Sequence, residues 1–150
     1  MMNVFVDSTT LLYSLDPAEP RKRAICVAWL RRLRLADALV LSPQVLNETY
    51  WVVCRKPTFI SARAGIRAHL GDYMAWTTAP LDADTLPSGW RLQDLYGIGF
   101  WDSLMLASAN AAGCGHCLTE DLNDGQLYGD VRVVDPFRHA PEDVLGRGRP

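Results

Sequence analysis

Four acidic residues occupy positions where strands and helices are expected to begin, end or be buried. Asp7 follows an apolar, β-branched run, and Asp121 closes another short apolar run late in the chain. Asp102 opens a stretch rich in Ala, Leu and Met, which are good helix formers. Glu48 lies among apolar residues on a predicted helix. Because Mg²⁺ and Mn²⁺ prefer oxygen ligands, these carboxylates together predict a site for a hard cation.

Such a site would suit the cleavage of a phosphodiester bond. Two divalent ions about 4 Å apart can activate a water molecule and stabilise the leaving oxygen. The same ions would cancel the repulsion between an acidic pocket and a phosphate backbone. Ser8, Thr119 and Asp124 lie close in sequence to the acids and are predicted to orient ligands or water molecules.

Each acid also has an ordinary explanation when it is considered singly. Asp7 and Asp102 could be helix N-caps, and Asp121 could be a turn residue capped by Thr119. Glu48 could be neutralised by an arginine or by backbone donors, because an isolated buried carboxylate is costly. The joint placement of the four acids favours the metal site over these separate roles.

The elements that must hold these acids alternate between strand and helix, which favours an α/β fold with a mainly parallel sheet. In such a sheet, ligand sites lie beyond the carboxyl ends of the strands, where the strand order reverses. Asp7 and Asp121 both end predicted strands and fit such a crevice. Strands are predicted over residues 3–6, 38–41 and 131–134 and before Asp121, and helices over 21–37, 43–55, 61–76, 88–96 and 103–112.

Size and composition fit one domain, which we assign to residues 1–137 of the 150, followed by a flexible tail over 138–150. No apolar run is long enough to span a membrane, and the N-terminus lacks the features of a secretory signal, which predicts a cytoplasmic protein. The four cysteines are therefore expected to be reduced and buried. Cys114 and Cys117 also match the C-x-x-C pattern of redox and zinc sites, but no second ligand pair accompanies them.

The helix predicted over residues 21–37 carries a basic face, although the net charge of the chain is −2. Arg23, Arg31 and Arg34 fall on this face. The face could be a solvated helix surface or a stripe that contacts phosphates, so these arginines are candidates for RNA binding. The opposite, apolar side is predicted to consist of Ile25, Ala28, Trp29 and Leu33.

Four short motifs, in their order and spacing, resemble the PIN-domain family, and VapC-type toxins of bacterial toxin–antitoxin pairs most closely. They are Asp7-Ser8-Thr9, Pro43-Gln-Val-Leu-Asn-Glu48, Phe100-Trp101-Asp102-Ser-Leu and Leu118-Thr-Glu-Asp121. The resemblance implies a three-layer α/β/α fold and an endoribonuclease that depends on Mg²⁺, or on Mn²⁺. It also implies a cognate antitoxin that blocks the site, and a homodimer. Carried over by position, Asp7, Glu48, Asp102 and Asp121 match the acidic residues of the family.

The chain departs from the family pattern at two places. Thr9 stands where the family often has Asn or Ser, and Asp124 is close enough to Asp121 in sequence to share the fourth acidic role. A phosphatase of the haloacid-dehalogenase kind would need a second Asp at the position of Thr9. A PIN-like module that binds RNA or protein without catalysis is disfavoured, because a pure binder has no need to hold several repelling carboxylates together.

Overall fold

A five-stranded sheet forms the centre of the computed structural model, which describes residues 2–147. The strand order is β2-β1-β3-β5-β4, and every neighbouring pair is parallel except β4 with β5. The mainly parallel sheet confirms the predicted fold class. The strands are β1 (Val4–Val6), β2 (Leu39–Val40), β3 (His116–Leu118), β4 (Leu127–Tyr128) and β5 (Val131–Val134).

Helices pack around this sheet and complete the three-layer α/β/α arrangement. Within the described residues they are α1 (Ser8–Leu15), α2 (Pro20–Leu35), α3 (Pro43–Arg55), α4 (Pro57–Ile60), α5 (Arg63–Tyr73), α6 (Thr85–Tyr96), α7 (Phe100–Ala111) and α8 (Pro141–Leu145). A short 3₁₀ helix over Met74–Trp76 extends α5. None of the helices in residues 2–147 is long and apolar enough to cross a membrane.

The position of β1 in the sheet creates the predicted crevice. β1 is fully buried and pairs with β2 on one side and with β3 on the other, so the strand order reverses between β1 and β3. Val6 is in register with Leu118, and the Asp7 N–H donates to the Leu118 carbonyl over 3.3 Å. The residues that follow β1 and β3 therefore leave the sheet side by side.

Helix α7 is held against the rest of the fold by close packing with α6. Gly89 of α6 is buried, and a Cβ placed there would lie 3.4 Å from the Cα of Leu104 on α7. This contact brings the two backbones together. Gly97 ends α6 in the left-handed conformation, with φ of 64°, and lets the chain turn into α7.

Several predicted boundaries were wrong for reasons of helix geometry. The helix predicted from residue 88 begins at Thr85, because Pro87 lies in the first turn, where backbone N–H groups have no intrahelical acceptor. The predicted turn after α3 contains the short helix α4. The single helical turn suggested by Leu11, Leu12 and Tyr13 is a full helix of eight residues.

Two elements near the C-terminus were not predicted. β4 is a two-residue edge strand, too short to show a sequence pattern. Helix α8 lies within the segment assigned to a flexible tail, and Val144 and Leu145 pack against the main core. Residues 148–150 of that segment lie outside the described residues, and the domain boundary at 137 remains a prediction.

The apolar side of α2 is rotated slightly from the predicted one. Trp29 and Leu33 are buried as predicted, but Ala28 is exposed. Cys26 and Leu30 take its place in the interior. The predicted stripe was centred a little too far toward Ala28, because alanine is compatible with either face of a helix.

Three of the four cysteines are buried as predicted, whereas Cys54 is only partly buried. All four are free, and Cys26, Cys114 and Cys117 are buried. Burial raises the pKa of the Cys114 thiol to about 11, which disfavours the thiolate that redox chemistry and metal binding require.

Candidate active site

Asp7 is the innermost of the four acids. Its side chain is only 4% exposed, at the junction of β1 and α1. It caps α1 by accepting from the Thr10 N–H over 3.2 Å, so the predicted capping role is correct. It also accepts from the hydroxyls of Thr9 at 2.7 Å and Thr119 at 2.5 Å. Thr9, which departs from the family pattern, thus still supplies a donor to the first acid.

The Thr119 hydroxyl connects Asp7 to the turn that carries Asp121. It donates to Asp7 Oδ2 and accepts from the Asp121 N–H at 3.2 Å. Thr119 is itself fully buried after β3. The end of β1 and the end of β3 are therefore joined at the side-chain level, as the crevice predicts.

Burial dominates the electrostatics of Asp7. Desolvation raises its pKa to about 6, against the lowering effect of the hydrogen bonds from Thr119, Thr9 and Thr10. Repulsion from the Asp121 carboxylate raises the pKa further. A carboxylate held in this state gains more from a bound cation than an exposed one does.

Glu48 faces the same region from helix α3. The Ser8 hydroxyl donates to Glu48 Oε2 over 3.1 Å, so one predicted helper residue contacts an acid directly. The Gln44 side-chain amide donates to Glu48 Oε1 at 2.7 Å and to the Trp101 carbonyl at 3.0 Å. These contacts link α1, α3 and the first turn of α7.

Asp102 and Asp121 complete the group. Asp102 lies in the first turn of α7, whose N-cap is Gly99, so a capping role for Asp102 is excluded. Burial, Asp121 and Glu48 raise the pKa of Asp102. Partial burial and Glu120 raise the pKa of Asp121. Electrostatic repulsion thus connects all four predicted acids, although they come from four different elements or turns.

Within the described residues, Asp7, Glu48, Asp102 and Asp121 form no salt bridge with a lysine, arginine or histidine. The donor set consists of carboxylate oxygens, which fits a hard divalent ion. Within residues 2–147, no three His, Cys, Asp or Glu side chains are already arranged as a metal site. The chemistry of the donors therefore fits Mg²⁺ or Mn²⁺, while the chelating geometry is not preformed.

Asp124 lies in a different environment from the other acids. Its Oδ1 accepts from the Asp135 N–H at 2.9 Å, and its Oδ2 lies 2.7 Å from His139 Nε2. Arg138 lies 4.0 Å away. The Asp135 N–H, His139 and Arg138 together lower the pKa of Asp124 despite some desolvation. Both carboxylate oxygens of Asp124 therefore contact groups in the segment between β5 and α8.

A match to a protein-family model decides the family of this chain. The PIN domain family model matches residues 4–123, which include all four acids. This chain belongs to the PIN-domain family. Among curated proteins, none matches it significantly in sequence.

Solved structures show the same PIN fold at low identity. FitAcB from Neisseria gonorrhoeae has a TM-score of 0.70 and 18% identity, covering 91% of this chain and 99% of its own. DNA-bound VapBC from Salmonella typhimurium has a TM-score of 0.65 and 13% identity, with the same coverage of 91% and 99%. VapC20 from Mycobacterium tuberculosis, a sarcin–ricin loop cleaving toxin, has a TM-score of 0.58 and 18% identity, covering 87% and 99%.

The predicted RNA-binding arginines of this PIN domain lie on helix α2. Arg23 and Arg34 line a groove with His69 and Asp72 of α5, and the Arg34 guanidinium lies 5.3 Å from the centre of the Tyr73 ring. Arg31 is exposed. Within the described residues, none of these arginines forms a salt bridge with the four acids. Their role in RNA binding remains a prediction.

Sequence reasoning missed the residue that holds the outer part of the site. Gln44 is 5% exposed and contacts both Glu48 and the backbone of Trp101. The available signal was its position one helical turn before Glu48. Its second contact, to Trp101, spans 57 positions in the sequence and could not be read from local spacing.

Proposed function

We propose that this protein is an endoribonuclease that depends on a divalent metal ion, and that it is the toxin of a VapBC-type toxin–antitoxin pair. One observation carries the proposal. Asp7, Glu48, Asp102 and Asp121 form no salt bridge within the described residues, while burial and neighbouring carboxylates raise the pKa values of Asp7, Asp102 and Asp121. Such an arrangement is costly to the fold unless a cation binds there.

The four acids are the proposed ligands for Mg²⁺, with Mn²⁺ as an alternative. When bound, such ions supply an activated water and stabilise charge on the cleaved phosphodiester. Ser8 and Thr119 hold the carboxylates of Glu48 and Asp7 in orientation. Burial of Asp7 behind its three threonine donors keeps solvent from solvating its charge.

Likeness to solved structures supports the proposed substrate and partner. VapC20 is a toxin that cleaves the sarcin–ricin loop, and the Salmonella typhimurium structure is of VapBC. We extend an RNA substrate and a cognate antitoxin to this chain on that basis. A homodimer, a cytoplasmic location and phosphate contacts from Arg23, Arg31 and Arg34 belong to the same proposal.

The test is RNA cleavage by the purified, antitoxin-free protein in Mg²⁺, in Mn²⁺ and in EDTA. Asp7→Asn and Asp102→Asn variants run beside it, with circular dichroism to show that each is folded. We expect cleavage that requires a divalent ion and is lost in both variants. Cleavage that persists in EDTA, or in both variants, would contradict the proposal. A folded protein that binds RNA but cuts none in either metal would favour the non-catalytic binding module.

A further inference from the structure

An open groove of about 710 Å³ lies beside the acidic cluster, and the proposed cleavage chemistry does not account for it. Two indoles, Trp51 and Trp101, form its walls and are 61% and 64% exposed. Large aromatic side chains held open to water around one groove are typical of a binding surface. The remaining lining residues are Gln44, Asn47, Glu48 and Leu81.

The groove is continuous with the candidate active site. Glu48 belongs to both, and Gln44 donates from one amide nitrogen to Glu48 Oε1 and to the Trp101 carbonyl. Trp101 also directly precedes Asp102 in the chain. A ligand seated between the indoles would therefore lie next to whatever the acids bind.

The polar groups of the groove leave hydrogen-bonding capacity unused. Gln44 Oε1 is buried and has no hydrogen-bond partner among residues 2–147. Asn47 is exposed and lines the groove, so its side-chain amide is accessible to a ligand. An amide offers both a donor and an acceptor, which is what the edge of a nucleobase requires.

Arg55 places a positive charge against Trp51, which is one of the residues that line the groove. The Arg55 guanidinium lies 4.6 Å from the centre of the Trp51 ring, one helical turn further along α3. Arg55 is exposed, and a cation next to an aromatic stacking surface favours the phosphates that flank a stacked base. The groove therefore combines stacking surfaces, an amide and a cation beside an acidic site.

We propose that this groove binds one unstacked nucleobase of the RNA, adjacent to the phosphodiester that the acids receive. Trp51 and Trp101 supply the stacking surfaces, Asn47 reads the base edge, and Arg55 contacts the neighbouring phosphate. This inference rests on the proposed function, because it takes RNA as the substrate. A protein partner could also cover two indoles, and the experiment separates the two occupants.

The experiment measures binding of short, fluorescently labelled single-stranded RNA by anisotropy, in the Asp102→Asn background so that RNA is not cut. The RNAs are matched pairs that differ only by removal of a single base. Trp51→Ala and Trp101→Ala are each expected to weaken binding of the intact RNA about tenfold. Trp101→Phe should retain most of the affinity, and Trp90→Ala, which alters an exposed indole outside the groove, should have no effect.

The decisive result is a lack of additivity. If the missing base occupies the groove, the tryptophan substitutions should have little further effect on the RNA without that base. Equal losses for both RNAs, or no loss for either, would overturn the proposal. A change in self-association or antitoxin binding with unchanged RNA affinity would also overturn it, and would assign the groove to a protein. Failure of the wild-type protein to cut RNA, with base-dependent binding intact, would contradict the nuclease proposal alone.

Discussion

The acids of the candidate active site and the acid Asp124 have pKa values shifted in opposite directions. Around Asp7 and Asp102, burial and neighbouring carboxylates raise the pKa values. At Asp124, a backbone N–H, His139 and Arg138 lower the pKa. The acids of the candidate site come from four separate segments of the chain. Asp124, in contrast, connects its own turn to the segment that leads into α8, through Asp135 and His139.

The difference distinguishes an acid whose charge is balanced within the protein from acids that we propose to bind a metal ion. Asp124 has its donors and its cations within the protein, so its charge is balanced when the chain folds. Asp7 accepts hydrogen bonds from four donor groups on three threonines, but it forms no salt bridge within the described residues, and repulsion from Asp121 raises its pKa. Because the charge of Asp7 is not neutralised by a protein cation within the described residues, a cation from solution would be attracted to it. The predictions below test this contrast.

The largest expected effect is on catalysis. Asp102→Asn should lower the rate of RNA cleavage by at least about a hundredfold, because a carboxylate proposed to bind the metal is lost. Asp124→Asn should leave cleavage within about threefold of the wild type, since its contacts lie in the segment between β5 and α8. Single-turnover cleavage assays would measure both. A comparable loss of activity in the two variants would show that Asp102 and Asp124 do not differ in their importance for cleavage.

The Thr119 hydroxyl should matter for function although it is not an acid. Thr119→Val removes the donor to Asp7, which should raise the pKa of Asp7 further and weaken metal affinity roughly 10–100-fold. Thr119→Ser keeps the hydroxyl and should restore most of the affinity. Titration with Mn²⁺, followed by calorimetry, measures the effect. Equal affinities in the Val and Ser variants would show that the hydroxyl does not position Asp7.

Divalent ions should stabilise the fold by binding to the acids of the candidate active site and not to Asp124. At a concentration a hundred times the Kd, a bound ion adds about 2.7 kcal/mol to the free energy of unfolding. For a chain of this size, that raises Tm by several degrees, roughly 5–10 °C. Thermal unfolding with Mg²⁺ or with EDTA should show this shift in the wild type and in Asp124→Asn. The shift should disappear in Asp7→Asn, and its persistence there would place the ion elsewhere.

The pH dependence of stability in EDTA should follow the raised pKa of Asp7. The folded state binds this proton more tightly than the unfolded state, whose pKa is near 3.8, so ionisation destabilises the fold as pH rises from about 4 to about 6. Above pH 6, Asp7→Asn should therefore be more stable than the wild type by about 1–3 kcal/mol. Below pH 4 that advantage should vanish. Urea unfolding across this range measures it, and a constant difference at every pH would refute the assignment.

The smallest effect is expected on the basic face of α2. Replacing Arg31 and Arg34 together with glutamine should reduce the slope of log affinity for RNA against log salt by about 1–2, if both contact phosphates. The cleavage position should not change, because within the described residues neither arginine forms a salt bridge with the acids that are proposed to bind the metal. An unchanged slope would remove this face from the binding site.

The sequence predicted the parts of the site that depend on local structure. Asp7 could be placed because a buried strand ends there, and Asp102 because it stands at the start of a helix-forming run. The bridges between segments were not accessible in this way. The Ser8–Glu48 and Thr119–Asp7 hydrogen bonds span 40 and 112 positions, and only the packed fold determines them.

Asp124 shows the same limit from the other direction. Asp124 was a candidate for the acidic group because it is only three residues from Asp121 in the sequence. Residues this close in sequence can still direct their side chains to different parts of the fold when a turn separates them. The competing donors at Asp135 and His139 belong to a segment whose helix, α8, had no clear sequence signal. The edge strand β4 was missed because two residues show no alternation.

The pairing of β1 with β3 has a consequence for how this protein is made. Residues at the beginning of the chain form one wall of the crevice, and residues beyond position 116 form the other. While the β3 segment is still inside the ribosome, Asp7 has already been synthesised, but Thr119 and Asp121 cannot yet lie beside it. The crevice of this PIN domain can therefore form only after the β3 segment has been synthesised.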